Sequence, residues 1–232
     1  MTDILLPLLP LAVLGAVLGL DTVSFPQAML SRPLVSATLG GALVGSAGGG
    51  LLIGAALELI ALETLPFGAS RYPEWGSASV VGGALFAASA SPPPGAMSLA
   101  IVAAIATAWV GSWSMVKLRQ VIARLAAGSQ SALDAGARGA VIALQLKGLT
   151  ADLVRGFLLT AVALAVFGPV TRASIAVWSI DARASRAIAV AIAASVAGGA
   201  AWKLFHGSVP ARWAFLSGLA AGVTLIAFAR WS

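Results

Sequence analysis

The chain has 232 residues, of which 59% are hydrophobic and only 9% are charged. An ordinary soluble domain carries about 25% charged residues, so this composition excludes a soluble surface and predicts an integral membrane protein. At about 20 residues for each crossing, the length allows about six to eight membrane segments. The net charge of +6 is typical of basic cytoplasmic loops that face anionic lipid, which favours a membrane over nucleic acid as the partner.

The residue types also limit the chemistry. The chain has no cysteine, which excludes disulfides, thiolate metal sites and a phosphocysteine carrier. The single histidine, His206, stands among aromatic residues in a predicted loop, and nothing nearby in the sequence would orient it for phosphorylation. The sequence contains no nucleophile–base pair, no phosphate-binding glycine loop and no metal-ligand spacing. We therefore expect no catalytic residue, no metal and no cofactor.

The chain begins with an apolar segment and a polar interruption. Residues 4–20 lack the basic start of a cleaved signal, so we predict that they are retained in the membrane. The interruption that follows contains Asp21, Gln27 and Arg32 and is broken by two prolines. It fits an interfacial loop whose arginine reaches the lipid headgroups, and it fits equally well a hairpin or broken helix that lines a site.

The next apolar run, residues 34–62, is too long for a single crossing. Three glycines lie in its middle, from Gly48 to Gly50, and glycine loosens a helix. We therefore predict two segments, roughly 34–47 and 50–63, joined by a glycine turn. The small residues of this run also permit close packing between helices.

Acidic residues and helix breakers come together in residues 57–79. An acid at hydrocarbon depth costs about 2.5–3.5 kcal/mol on insertion scales, so it normally faces a cavity, a partner or a substrate path. Irregular backbone at that depth survives only where protein or a water-filled cavity satisfies its polar groups. We therefore expect the functional site here. The stretch contains Glu58, Glu63, Pro66, Gly68, Ala69, Arg71 and Glu74.

The second half of the chain is predicted to hold further membrane helices around a basic region. Residues 117–155 are the densest basic part of the chain, and we interpret them as an amphipathic segment on the cytoplasmic side. The single membrane domain then divides into a substrate-site half with hairpins (1–94), this basic segment, and C-terminal helices (156–232). Apolar segments are predicted at residues 77–91, 95–116, 156–179, 187–202 and 213–229.

These residues favour a transporter without naming its solute. Carboxylates, an amide, an arginine and exposed backbone groups at helix breaks can hydrogen-bond a hydroxyl-rich solute. A proton-coupled relay through Glu58, Glu63 and Glu74 fits the same residues. A purely structural scaffold would leave the intramembrane acids unexplained.

Two stretches suggest a family. GLLIGAALELIALETLPFGASRYPEWGSAS (50–79) resembles the signature of the enzyme IIC subunit of mannose/fructose/sorbose-family sugar phosphotransferase systems. LDTVSFPQAMLSRPLVSATLGGALVG (20–45) is similar to the same family's entry sequence, and the resemblance covers about residues 15–90. The shared features are Arg32-Pro33-Leu34, Leu57-Glu58, Ala61-Leu62, Gly68-Ala69, and Pro73 followed by an acid.

The resemblance implies an all-helical, multi-pass subunit with re-entrant or broken helical hairpins in the bacterial cytoplasmic (inner) membrane. Such a subunit binds a hexose or amino-hexose and moves it inward by an elevator-like motion. It pairs with a IID-type membrane subunit and forms larger oligomers. Phosphoryl groups come from separate IIA and IIB phosphocarrier proteins, so this chain would be a transport subunit and not an enzyme.

The resemblance also implies site residues. Glu58 matches the acid of the family's Leu-Glu motif, and Glu74 stands where the family usually has aspartate after proline. Arg32 would pair with an acid or anchor a hairpin. The substrate-binding set is then Asp21, Gln27, Glu58, Glu63, Gly68, Ala69 and Glu74.

The chain departs from the family pattern at one place. Where the family typically reads Gly-Trp-x-Asn before the Gly-Ala pair, this chain reads Glu63-Thr64-Leu65-Pro66. The tryptophan and the asparagine are both missing. The alternative hypothesis is therefore a divergent IIC-like protein that acts as a secondary transporter, a facilitator or a regulatory membrane subunit without coupled phosphorylation.

Overall fold

The computed structural model describes residues 2–22, 24–64, 73–88 and 91–229. These residues form helices joined by short connections and include no β-strand, which confirms the predicted all-α class. The helices are α1 (Thr2–Asp21), α2 (Pro33–Leu43), α3 (Ala47–Ala61), α4 (Trp75–Ala87), α5 (Ala96–Gly128), α6 (Gln130–Asp134), α7 (Arg138–Ala176), α8 (Ala182–Phe205) and α9 (Val209–Ala229), with a 3-10 turn at Leu62–Thr64.

Helix length separates two kinds of element. Within the described residues, three helices are long and apolar enough to cross a membrane: Ala96–Gly128, Arg138–Ala176 and Ala182–Lys203. By contrast, α2 and α3 have 11 and 15 residues, which is about 16 and 22 Å at 1.5 Å per residue. Neither can cross a hydrocarbon core of about 30 Å by itself. They form the predicted broken helical hairpin.

The hairpin turns at a different place from the one the sequence suggested. The turn lies between Leu43 and Ala47, where Gly45 has a φ of +92° that favours glycine. The Ser46 hydroxyl accepts a hydrogen bond from Gly49 N at 3.2 Å and caps α3. The glycines at 48–50 therefore lie in the first turn of α3. Gly50 serves close packing, because a Cβ on Gly41 would lie 2.6 Å from its Cα, whereas a Cβ on Gly48 would meet nothing within 4 Å.

Residues 117–155 do not form a segment of their own. They comprise the last third of α5, the short helix α6 and the first half of α7. With 33 and 39 residues, α5 and α7 are about 50 and 58 Å long, which exceeds the hydrocarbon thickness. Most of the basic residues thus lie toward the adjoining ends of two long helices, whereas Arg155 lies in the middle of α7. The α7 helix also continues through Pro169.

The α4 helix lies at the centre of the bundle. It packs against α1, α2, α3, α5 and α7, and all of its residues except Trp75 and Leu85 are buried. Small residues allow these close approaches, since a Cβ on Gly40 would lie 2.8 Å from the Val80 carbonyl oxygen. Glu74, which caps the start of α4, is therefore buried in the interior of the bundle.

Candidate solute-binding site

Asp21 ends α1 and organises the connector that follows it. Its side chain is only 2% exposed, and its two carboxylate oxygens accept hydrogen bonds from Ala28 N at 2.7 Å and Ser31 N at 2.8 Å. These bonds hold the connector against the end of the helix. Gln27 lies in the same connector, with an exposed side chain and a left-handed φ of +59°.

Arg32 and Glu58 form an ion pair across the hairpin. Glu58, on α3, also accepts a hydrogen bond at 3.1 Å from Leu34 N, in the first turn of α2. A carboxylate at this position satisfies a free helix amide and complements the positive end of the helix dipole. The pair therefore ties α3 to the start of α2 at the end of the hairpin opposite its turn.

Glu63 does not join Glu58 in one site. It lies in the 3-10 turn and forms an ion pair with Lys203 near the end of α8. The Lys203 side chain is mostly exposed. Gly68 and Ala69, like Pro66 and Arg71, lie outside the described residues.

Glu74 is the most deeply buried of the predicted acids apart from Asp21. It is 2% exposed, and its Oε1 accepts a hydrogen bond from Ser77 N at 3.0 Å, which caps α4. Its backbone N–H donates to the carbonyl of Ala108 on α5 at 3.0 Å. A Cβ on Gly76 would lie 3.0 Å from Oε1, and a Cβ on Gly111 would lie 3.2 Å from Oε2. These glycines leave the space that the carboxylate occupies.

The structure adds a buried ion pair that sequence reasoning missed. Arg155 Nε donates to Asp152 Oδ1 at 2.8 Å on α7, and the two side chains are only 9% and 2% exposed. Ser24 donates to the other oxygen, Asp152 Oδ2, at 2.5 Å, and Arg155 Nη1 donates to Ser114 Oγ at 3.2 Å. A buried ion pair is tolerated where further hydrogen bonds satisfy its remaining atoms. One signal was available: two opposite charges three residues apart within an apolar helix.

Two of the predicted acids, Asp21 and Glu74, lie near the Asp152–Arg155 pair around the end of α1. Ser24 links the connector held by Asp21 to Asp152, and Arg155 extends from α7 toward Glu74 on α4. The arrangement presents carboxylate, guanidinium and hydroxyl groups between packed helices. In the described part of the chain, no three acidic or histidine side chains come together as a metal site requires.

Two cavities flank the Asp152–Arg155 pair between α5 and α7. One, of about 430 Å³, has polar groups at Ser24, Arg119, Gln145 and Asp152. The other, of about 580 Å³, is lined by apolar side chains except for Thr107, Ser114 and Arg155. Both volumes fall in the range of about 300–1,000 Å³ that is usual for small-molecule sites.

The family model described as the PTS system sorbose-specific IIC component matches residues 5–204. The chain belongs to this family. It is therefore a IIC-type sugar-permease component, as the resemblance in residues 15–90 implied, and it falls in a class of transport components. No curated protein matches the chain.

Two solved structures share the fold of this IIC-type chain. A membrane protein structure superposes with a TM-score of 0.73 at 19% identity, covering 98% of this chain and 96% of that one. The cryo-EM structure of the mannose transporter ManYZ in complex with a microcin superposes with a TM-score of 0.61, at the same identity and coverage. The described bundle, including α7, thus has the fold of these two structures.

Proposed function

We propose that this chain is the permease subunit of a phosphoenolpyruvate-dependent sugar phosphotransferase system in the bacterial inner membrane. It binds a hexose or amino-hexose and moves it across the membrane. The family match over residues 5–204 carries the proposal. The buried carboxylates and hydroxyls support it, because these groups hydrogen-bond sugar hydroxyls.

The residues that the sequence predicts to bind substrate are Asp21, Gln27, Glu58, Glu63, Gly68, Ala69 and Glu74. Among them, Glu74 has the strongest support, because it is buried and its Oε2 has no hydrogen-bond partner in the described part of the chain. Both carboxylate oxygens of Asp21 are already occupied by backbone amides, so we assign it to positioning the connector. The Arg32–Glu58 pair closes the hairpin and holds it as one unit during transport.

The partners in this proposal are a IID-type membrane subunit and IIB and IIA phosphocarrier proteins. An apolar stripe on the outer face of α7 supports a membrane partner, since its residues recur every four positions and are all about half exposed. In a bilayer such a face meets lipid or another helix. The stripe consists of Val154, Leu158, Val162, Val166 and Val170.

A pull-down tests this assignment. The tagged chain is purified from its native cells in mild detergent, and the proteins that accompany it are identified by mass spectrometry. Recovery of a second membrane subunit together with a IIB-like protein is the expected result. Recovery of the chain alone, or only with copies of itself, would contradict a working phosphotransferase permease.

A second candidate is a IIC-like transporter or regulatory subunit that works without phosphorylation. The observation that favours it is the ion pair between Glu63 and Lys203. Glu63 begins the segment Glu63-Thr64-Leu65-Pro66, which differs from the family pattern. An ion-paired acid differs from the neutral Gly-Trp-x-Asn segment that the family typically has there. The chemical form of the sugar inside the cell separates the two candidates: the first requires a sugar phosphate, and the second requires free sugar or no accumulation.

A further inference from the structure

Unsatisfied polar atoms lie on three helices that pack together. Within the described ranges, four buried side-chain atoms have no hydrogen-bond partner: Glu74 Oε2, Ser79 Oγ, Ser112 Oγ and Arg155 Nη2. They belong to α4, α5 and α7, which pack against one another. Buried polar groups are nearly always paired with protein, water or a ligand. Unpaired atoms on neighbouring helices are therefore candidates for contact with a polar molecule.

Glycine positions bring two of these side chains together. A Cβ on Gly19 would lie 3.5 Å from Glu74 Oε1 and 3.7 Å from Arg155 Nη2. Gly111, on α5, lies near the same two side chains. A Cβ on Gly111 would lie 3.2 Å from Glu74 Oε2, and Arg155 Nη1 donates to the Gly111 carbonyl at 3.5 Å. Glu74 and Arg155 thus lie beside the same two glycines, yet Arg155 forms its ion pair with Asp152 and not with Glu74. Ser112 follows Gly111 directly in α5.

The free atoms are chemically complementary to a hydroxyl group. Glu74 Oε2 accepts a hydrogen bond, Arg155 Nη2 donates one, and Ser112 Oγ does either. A hydroxyl can donate to the carboxylate and accept from the guanidinium at the same time. An anion would meet the Glu74 charge and a cation the Arg155 charge, so this mixture selects a neutral ligand with several hydroxyls.

The Asp152–Arg155 pair lies beside two cavities. Arg155 lines the apolar cavity of about 580 Å³, while Asp152, one helical turn earlier, lines the more polar cavity of about 430 Å³. The rim of the polar cavity carries Ser24, Arg119 and Gln145. The Asp152–Arg155 pair therefore lies where both cavities meet the packed helices.

We propose that Arg155 and Ser112 are substrate-contacting residues, and that they complete with Glu74 a buried site for adjacent hydroxyls of a neutral sugar. Asp152 is then a positioning residue, because it holds the guanidinium through Nε and leaves Nη2 free for the solute. This inference rests on the proposed function, since it names the group of atoms that recognises the sugar.

The test compares Ser112→Ala with Thr107→Val on the same helix. Ser112 Oγ is unpaired within the described protein, so its removal breaks no internal hydrogen bond. The Thr107 hydroxyl already donates to its own helix at Ala103 O, 2.7 Å away, which makes the isosteric valine variant a matched control. Arg155→Lys is the second test variant, because lysine can still pair with Asp152 but lacks the forked guanidinium.

Sugar dissociation constants are measured on the complex purified from native cells, with the neutral sugars D-mannose, L-sorbose and D-fructose as probes and the cationic amino sugar D-glucosamine as the comparison. We expect Ser112→Ala to weaken binding about three- to tenfold and Arg155→Lys about ten- to a hundredfold, as for lost hydrogen bonds to neutral and charged groups. Thr107→Val should stay within about twofold of the original protein. The thermal midpoint of Ser112→Ala should not fall.

Unchanged affinities in both Ser112→Ala and Arg155→Lys would overturn the inference and leave the proposed function standing. In that case the free atoms hold only ordered water. If the unaltered complex binds none of the four sugars, both the proposed function and this inference are overturned. The two failures are therefore distinguishable.

Discussion

Substituting Gly41 tests how tightly the α2–α3 hairpin is packed. A Cβ at this position would lie 2.6 Å from the Cα of Gly50 and 2.7 Å from the Ser46 carbonyl oxygen. Both atoms belong to backbone, so no side chain can rotate away, and the two helices must separate by about 1 Å to restore normal contact. Overpacking of this kind costs about 1–3 kcal/mol, which alanine's better helix propensity offsets by about 0.5–1 kcal/mol. We expect Gly41→Ala to destabilise the protein by about 1–2 kcal/mol.

Gly48→Ala is the matched control in the same hairpin. A Cβ on Gly48 would meet nothing within 4 Å, so this variant keeps the helix-propensity gain of up to about 1 kcal/mol. The two variants should then differ by about 1–3 kcal/mol, or roughly 2–12 °C in thermal midpoint for a chain of this size. The folded fraction after heating in mild detergent, measured by size-exclusion chromatography, gives the midpoints. Equal midpoints, or a larger drop for Gly48→Ala, would refute the close packing.

Two further predictions concern charged residues. Glu58→Gln keeps an acceptor for the α2 amide but removes the charge that pairs with Arg32. We expect this variant to lose sugar uptake while its membrane insertion, measured by immunoblot, stays normal. Uptake at the original rate would remove Glu58 from the site. Replacing the basic residues at the end of α5 with glutamine should weaken binding of a IIB protein at least about fivefold at low salt and much less at high salt, because screening shortens the reach of surface charges. Unchanged binding would discard a docking role for this end. The exchanged residues are Lys117, Arg119 and Arg124.

The hairpin was predictable from sequence, but its turn was not. The length of residues 34–62 and their glycines indicated two short segments, and the structure has α2 and α3 there. The turn was assigned to the longest glycine run, whereas the single Gly45 and the capping residue Ser46 make it. Glycines that allow helix contact and glycines that make turns look alike in one sequence. Only the partner backbone distinguishes them.

The Asp152–Arg155 pair was missed because its surroundings were misjudged. Both residues fell within a stretch read as a basic surface segment, so they seemed to be ordinary solvated charges. Burial comes from the length of α7, which carries residues 152 and 155 into the bundle beside α1 and α5. The sequence indicated an apolar segment from residue 156, whereas α7 begins at Arg138. The apolar pattern of this region did not show where the helix begins.

The predicted acids were grouped by their closeness in sequence, and the structure separates them. Glu58 and Glu63 are five residues apart, yet the end of α3 intervenes, and they pair with Arg32 and Lys203 respectively. Glu74 instead lies close to a guanidinium 81 positions away in the chain, that of Arg155. Such long-range neighbours depend on how the helices pack. The family resemblance supplied the class of function, but packing decided which charges meet.

Sugar uptake by native cells with and without this chain tests the central claim most directly. Radiolabelled D-mannose, L-sorbose, D-fructose and D-glucosamine are supplied separately, and the label inside the cells is resolved into free sugar and sugar phosphate. We predict that deletion of the chain abolishes uptake of at least one sugar, and that cells with the chain recover that sugar as its phosphate. Unchanged uptake of all four sugars after deletion would contradict a permease role.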